Sequence, residues 1–434
     1  MRIGQVLTCV LLLKVLWMCY KRLRHRWLLE PSSTSKTPVI LIPGLGGSKL
    51  YNEQGHLKWC SWQGFLPHVT NSWRDSLTVK YNSVTREFEE ATSHTAYRTS
   101  HWSPTFTPTR DFGMCDGVGN VLSSSVKSSW QFQGILNEAW TRGYIDGLTM
   151  LGAPYDFRKI TSPAVWTEYC RSLKALIEHC TGRGKVVLLS HSMGSTLLLT
   201  FFNIYLHQVL PKDQVAAWKE NHIRRWVTVN GAFGGAGKAV RSFLSGDNNG
   251  MGYICDTGCH DWYQPLLENA SGVLWMLPNP AVFVGSTPVV TVGGTGYSAA
   301  QLPLLLDKVS PQAAKAYRDT VVPLLTVDPP GVPVVCVTSS QPGTPLQCCY
   351  PTESLHFSTV TMLDERLYYG QSSTNVQHMC GDGTVPYASL MVPQQWLEAQ
   401  TEPVTFVKIK QENVAHTSIL IEPNTVKLIM SLLT

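Results

Sequence analysis

Lys185-Val-Val-Leu-Leu-Ser190-His191-Ser192-Met193-Gly194-Ser195 is a short apolar run closed by a cluster of small residues, and it leads into Leu197-Leu-Leu-Thr-Phe-Phe202. The first run has the length of a buried strand and the second the character of a buried helix. A serine between such a strand and such a helix sits on a sharp, strained turn that lifts its Oγ clear of the sheet. Small neighbours are required there because strand and helix nearly touch. The first small position holds Ser190, where glycine is the commoner choice, and the second holds Gly194. The plain alternative is a serine capping an ordinary helix. The strand before it and the apolar helix after it favour Ser192 as a nucleophile.

A serine hydroxyl is a weak nucleophile and needs a base, which in turn needs an orienting acid. In a strand–turn–helix architecture of this kind the partners follow in the order serine, acid, histidine. The acid candidate is Asp382 in Cys380-Gly381-Asp382-Gly383-Thr384-Val385-Pro386, where flanking glycines let a loop turn tightly. The base candidate is His416, in Asn413-Val-Ala-His416-Thr-Ser ahead of the last helix, with His356 and His378 as alternatives. His191 is read as packing. The tetrahedral intermediate of acyl transfer needs two backbone N–H donors. Met193, directly after the serine, is one. The other is expected in Pro43-Gly44-Leu45-Gly46-Gly47-Ser48, at Leu45 or failing that Gly46, where glycines allow close approach.

The rest of the chain agrees with an α/β class. Val39–Ile42, Lys185–Ser190, Ile223–Val229, Val332–Val337 and Val404–Ile409 read as strands. Helical patterns lie at Trp130–Gly143, Trp166–Thr181, Met193–Val209, Pro311–Thr326 and Asn424–Leu433. Strands alternating with helices argue for a mostly parallel sheet. Residues 30–37 are a polar linker, and the ordered domain should run over 38–434. Within it, 53–119 reads as an inserted lobe and 246–296 as a second irregular insertion. At 434 residues the chain exceeds the ~250–300 at which single cores stop growing, so inserted lobes are expected. Charged residues are 15% against the ~25% usual for soluble domains, so much surface is uncharged, buried or membrane-facing. A net charge of +5 argues against a nucleic-acid partner.

Val6–Tyr20 is apolar apart from Lys14, and Lys21, Arg22, Arg24 and Arg26 follow it with no small-residue cleavage site. Residues 1–29 therefore read as an uncleaved signal anchor. A membrane-associated protein, or one in the secretory-pathway lumen or outside the cell, is expected. The larger charge lies after the segment, however, and the positive-inside rule conflicts with this by placing the catalytic part in the cytosol, so the orientation stays open. One glycosylation triplet is present, Asn269-Ala270-Ser271. The chain has twelve cysteines, and none forms a zinc pattern. Cys255, Asp256, Cys259 and His260 cluster, but read as thiols or a disulfide rather than a metal site. No cofactor or metal is implied.

Several motifs together resemble the family of lecithin:cholesterol acyltransferase and lysosomal phospholipase A. They are Pro38-Val-Ile-Leu-Ile-Pro-Gly44, Gly152-Ala-Pro-Tyr-Asp-Phe-Arg158, Ala217-Trp-Lys-Glu-Asn-His-Ile-Arg224, Gly231-Ala-Phe-Gly-Gly235, Leu244-Ser-Gly-Asp-Asn-Asn249, Asp328-Pro-Pro-Gly331 and Gly381-Asp-Gly-Thr-Val385. The resemblance implies an α/β-hydrolase fold with inserted membrane-binding and lid regions. It implies phospholipid acyl hydrolysis, with transfer of the acyl group to water, a sterol or another lipid alcohol at a membrane surface. It carries the triad onto Ser192, Asp382 and His416 and the oxyanion donors onto Leu45 and Met193, with Asp156 and Arg158 as support. The chain departs from the family at its bridges. Cys60 stands as the first lid cysteine would, but Ser72-Trp73 occupies the second position and Met391-Val392 the place of the second bridge, so Cys336 and Cys380 could pair instead. A soluble or neutral-lipid esterase and an inactive lipid-binding protein are the rival readings.

Overall fold

The computed structural model describes residues 36–52, 74–75, 77–91, 97–98, 112–120, 131–182, 184–247, 260–364, 380–411 and 414–434. Six strands form the central sheet: β1 (Val39–Ile42), β2 (Met150–Gly152), β3 (Val186–His191), β4 (Ile223–Val229), β5 (Val334–Thr338) and β6 (Val404–Lys408). Their order is β6-β5-β4-β3-β1-β2, and every pairing is parallel. The helices that matter for the site are α1 (Gln133–Thr141), α2 (Pro163–Thr181), α3 (Met193–Thr200), α4 (Val215–His222), α5 (Gly237–Ser245), α6 (His260–Glu268), α7 (Ser271–Trp275) and α8 (Pro423–Leu432).

The unbroken apolar strands of the sequence follow from this topology, because a parallel sheet is buried on both faces. Ile40, Ile42 and Leu188 point into one core, which α2 fills with Leu173, Leu176 and Ile177 and α3 with Leu197, Leu198 and Leu199. Val39, Leu41, Val187 and Leu189 point into the other, filled by Ile135 and Leu136 of α1 and Val426, Ile429 and Met430 of α8. Apolar spacing of three and four builds the inner face of α2, and Pro163 starts it, since a first-turn position needs no N–H. α3 is buried on all sides, and the helix continues through Phe201–Tyr205 to Val209 as the long apolar segment led one to expect.

Two segments differ from the sequence reading. The described part of 246–296 is not irregular: it holds α6, α7 and a hairpin, Val290–Val292 with Thr295–Tyr297. Leu266, Leu267, Val273, Leu274 and Trp275 join the main core. These elements are three to nine residues long and Pro265 interrupts α6, so no extended periodicity marks them. Gly293 and Gly294, with φ of 54° and 82°, make the two-residue turn that a hairpin favours. This hairpin joins Pro345–Tyr350 and Thr361–Asp364 in a second, four-stranded sheet. The helix expected from Pro311 begins earlier, at Leu302, and is broken at Ser310, because Pro311 disfavours helical backbone in the residue before it.

Of 53–119, the described residues pair Val79–Asn82 with Glu87–Glu90, and Leu77, Val79, Tyr81, Phe88 and Phe112 reach the core. The apolar segment Val6–Tyr20, Cys60, Ser72, Cys255, Cys259 and His378 lie outside the described residues. No helix among the described residues is long and apolar enough to cross a membrane. The Cys336 thiol is free and buried, so the alternative bridge from Cys336 to Cys380 is not made. The Asn269 amide donates to the Pro265 carbonyl and Ser271 is buried, its Oγ accepting the Thr161 N–H, so the triplet at 269–271 is part of the packing.

Candidate active site

Ser192 follows the last residue of β3 at φ 53° and ψ −128°, a backbone conformation that serine adopts only under constraint. Its N–H donates to the Val229 carbonyl, and its own carbonyl accepts from Ala232, so the turn is clamped on both sides. Gly194 is needed because a Cβ there would lie 2.4 Å from the Pro43 carbonyl oxygen and 2.6 Å from that of Ile42. Ser190 has its own reason. Its Oγ accepts the Trp226 indole N–H at 2.7 Å and lies 2.8 Å from Ser195 Oγ, which in turn lies 2.9 Å from Thr228 Oγ1. A glycine could not make that link between β3, β4 and α3.

The candidate acid and base are brought to the same carboxyl edge of the sheet. Beyond β5, Gln341 bridges to Asp382, and beyond β6 the chain returns to His416. Asp382 is fully buried. Its Oδ1 accepts the Thr384 and Val385 N–H groups at 3.0 and 2.7 Å, which leaves Oδ2 for the imidazole. Gly383 makes this turn possible at φ 88°. His416 Nδ1 lies 2.6 Å from Asp382 Oδ2, and its Nε2 lies 2.9 Å from Ser192 Oγ. A carboxylate only accepts, so Nδ1 carries the proton and Nε2 is free to take one from the serine.

The loop after β1 crosses the front of the serine. A Cβ at Gly44 would sit 2.9 Å from Ser192 Cβ, so only glycine lets the loop pass. Gly46 adopts φ 70°. Among the described residues no backbone carbonyl takes the N–H of Leu45 or of Met193. Tyr155 holds this loop, with its hydroxyl donating to the Pro43 carbonyl at 2.8 Å and its N–H to Ser48 Oγ. Tyr155 lies in the Gly152–Arg158 motif, but sequence reasoning singled out only its neighbours. Those neighbours are buried too: Asp156 pairs with Arg158, which also pairs with Glu90 and donates to the Leu77 carbonyl. Asp156 and Arg158 thus tie Leu77 and Glu90 to the segment that follows β2.

His356 is exposed. His191 is buried as expected but does more than pack, since its Nε2 lies 2.9 Å from the His416 carbonyl oxygen. Burial pushes its imidazole down from 6.5 to about 3, with the neighbouring His416 adding to the effect. No group of three or more metal-ligating side chains occurs among the described residues.

A six-stranded parallel sheet with a strained serine between strand and helix, joined through histidine to a buried aspartate, defines an α/β-hydrolase of the serine type. The profile of "Lecithin:cholesterol acyltransferase" matches residues 56–291, and the chain belongs to that family, as its motifs led one to expect. The matched range contains Ser192 but stops short of Asp382 and His416. The chain is 26% identical to the lysosomal phospholipase A and acyltransferase of Bos taurus, with 86% of each chain covered. It is 27% identical to the lecithin-cholesterol acyltransferase-like 1 protein of Arabidopsis thaliana, with 91% of this chain and 88% of that one covered. A solved structure, the Tle4-Tli4 complex, covers 91% of this chain and 97% of its own at 13% identity and a TM-score of 0.45.

Proposed function

We propose that this protein is a serine-dependent phospholipid acyl hydrolase and O-acyltransferase, with Ser192 as nucleophile, His416 as base and Asp382 as its orienting acid. The observation that carries this is the unbroken hydrogen-bonded chain from Ser192 Oγ through His416 to Asp382. His416 Nε2 takes the serine proton as Oγ attacks the acyl carbonyl. The N–H groups of Leu45 and Met193 receive the oxyanion. His416 then returns the proton to the departing lysolipid oxygen, leaving the acyl group on Ser192. Water or a lipid hydroxyl, deprotonated by His416 in turn, attacks the acyl-serine and regenerates the enzyme. The relatives, named phospholipase A and acyltransferase, support a phospholipid as donor. Their lysosomal designation supports a place in the lumen of the secretory pathway. Residues 53–119 serve in this reading as the lobe that meets the membrane.

The test is incubation with phospholipid liposomes, with and without a sterol or ceramide acceptor, followed by product analysis. Free fatty acid, or an acylated acceptor, together with lysolipid is expected. Ser192→Ala should abolish both turnover and labelling by a fluorophosphonate, a loss on the order of 10⁶ in a well-studied serine protease. Asp382→Asn and His416→Ala should each nearly silence the enzyme, without adding to Ser192→Ala, because the three act as a unit. Persistent labelling of Ser192→Ala overturns the assignment.

A further inference from the structure

Asp382 orients the ring of His416, but a ring is only as well placed as the main chain that carries it. The main chain of His416 is held on both sides. Its N–H donates to the Asp382 carbonyl at 2.9 Å. Its carbonyl oxygen accepts from His191 Nε2 at 2.9 Å and from Asn230 Nδ2 at 3.2 Å. Both donors are buried, His191 at 2% exposure and Asn230 at 0%. Asn230 is itself fixed: at φ 46° its N–H donates to Val337, its Oδ1 accepts the Ser339 N–H, and its Nδ2 reaches Ser339 Oγ.

His191 is the last residue of β3 and the covalent neighbour of Ser192. A carbonyl can only accept, so the His191 proton sits on Nε2. Its Nδ1 is buried with no hydrogen-bond partner among the described residues. That nitrogen faces the loop after β1, where a Cβ on Gly44 would come within 3.1 Å of it. The ring centroids of His191 and His416 are 4.8 Å apart. The imidazole therefore spans the gap between the loop of the proposed oxyanion donors and the segment of the base.

We propose that His191 is a positioning residue, whose Nε2–H, together with Asn230, pins the main-chain carbonyl of His416 and so keeps the base in register with Ser192. This rests on the reading of Ser192 and His416 as nucleophile and base. The same short turn then carries the nucleophile and the anchor of its base, so a shift of one moves the other with it. The packing role expected from the sequence understates the residue.

The test uses the full chain, a short soluble ester and a fluorophosphonate probe, with two substitutions compared. His191→Phe keeps a ring but has no donor. His191→Gln keeps an N–H near the Nε2 position. His191→Phe should lower kcat and the labelling rate by about 10- to 100-fold, the size of effect a misplacement near 1 Å produces, with KM unchanged. His191→Gln should recover most of that loss. A residue that only fills space would move thermal stability and leave no such difference between the two. Wild-type kcat in His191→Phe, or equal losses in both folded variants, overturns the proposal. Should His191→Phe fail to fold, histidine ¹⁵N spectra of the unaltered protein decide the matter, with His191 assigned by its loss in His191→Gln. The Nε2-protonated neutral ring is expected throughout the active pH range, and a proton on Nδ1 overturns the proposal. The two readings fail separately. Loss of label in Ser192→Ala beside full activity in His191→Phe removes the anchor and leaves the triad standing. Label retained in Ser192→Ala removes both.

Discussion

At φ 53° Ser192 holds a conformation that costs roughly 1–3 kcal/mol, and it persists because its neighbours over-determine it. Two backbone hydrogen bonds, the absent Cβ of Gly194 and the Ser190–Trp226 link all enforce the turn. His191 adds a second local tension, because its ring is neutral in the fold and chargeable outside it. Its folded value near 3 lies below the ordinary 6.5. Between those values the unfolded chain binds a proton that the folded chain refuses, so stability falls as pH drops through the window. The contribution is complete above about 6.5. At pH 5 about 1.5 units of it are gone, or about 2 kcal/mol at 1.36 kcal/mol per unit. Urea unfolding at pH 7 and pH 5 should therefore show a loss smaller by about that amount in His191→Gln than in the unaltered protein. Identical losses in the two proteins would show that His191 titrates normally.

At the scale of elements, the carboxyl ends of β1, β3, β5 and β6 all lead to one edge, where ligands of open parallel sheets bind. Ser192, Asp382 and His416 were legible because each sits in a motif that announces its own turn: small residues after a strand, Gly-Asp-Gly, and a histidine before the last helix. The fold brings those three within hydrogen-bond reach of one another. Tyr155 was not legible, since its task depends on Pro43, 112 residues away. The second sheet escaped notice because its first two strands are three residues each. Helix α4 was missed for want of an apolar stripe, and it carries an anomaly. Lys219 is buried with its ammonium 5.7 Å from the centre of the Phe202 ring. Burial pulls its pKa from 10.5 to about 8, with Glu402 opposing the shift. The unfolded chain thus binds the extra proton between about 8 and 10.5, so stability rises with pH across that window, and below it the folded state bears the full penalty of a buried charge. Lys219→Met should raise stability at pH 7 by about 1–3 kcal/mol, and the gain should shrink as pH approaches 10.5. Denaturant unfolding at both pH values measures it. A destabilised variant at pH 7 would mean that the ammonium has a favourable role there.

Over the whole molecule, the low charge share first suggested a surface with much uncharged area. The two cores on either side of the sheet absorb a large part of the apolar residues. The large hydrophobics exposed among the described residues are few and lie far apart along the chain, as with Val84, Val209 and Leu397. Outside the described residues, and apart from Val6–Tyr20, the stretch 53–73 is rich in aromatic side chains. Trp59, Trp62, Phe65, Leu66 and Trp73 crowd it with few charges. In the chain this stretch follows β1 and the loop at Gly44 that passes Ser192. Aromatic side chains with apolar bodies and polar edges suit a membrane interface. Each apolar side chain leaving water contributes roughly 1.5–3 kcal/mol, so two or three suffice for docking. Replacing Trp62, Phe65 and Leu66 together by serine should therefore weaken liposome binding and phospholipid turnover in sedimentation and product assays. Hydrolysis of a small soluble ester should survive, because Ser192, His416 and Asp382 are untouched. Equal loss of both activities with an early melt would place these side chains in a core and remove the membrane-facing lobe from the proposal.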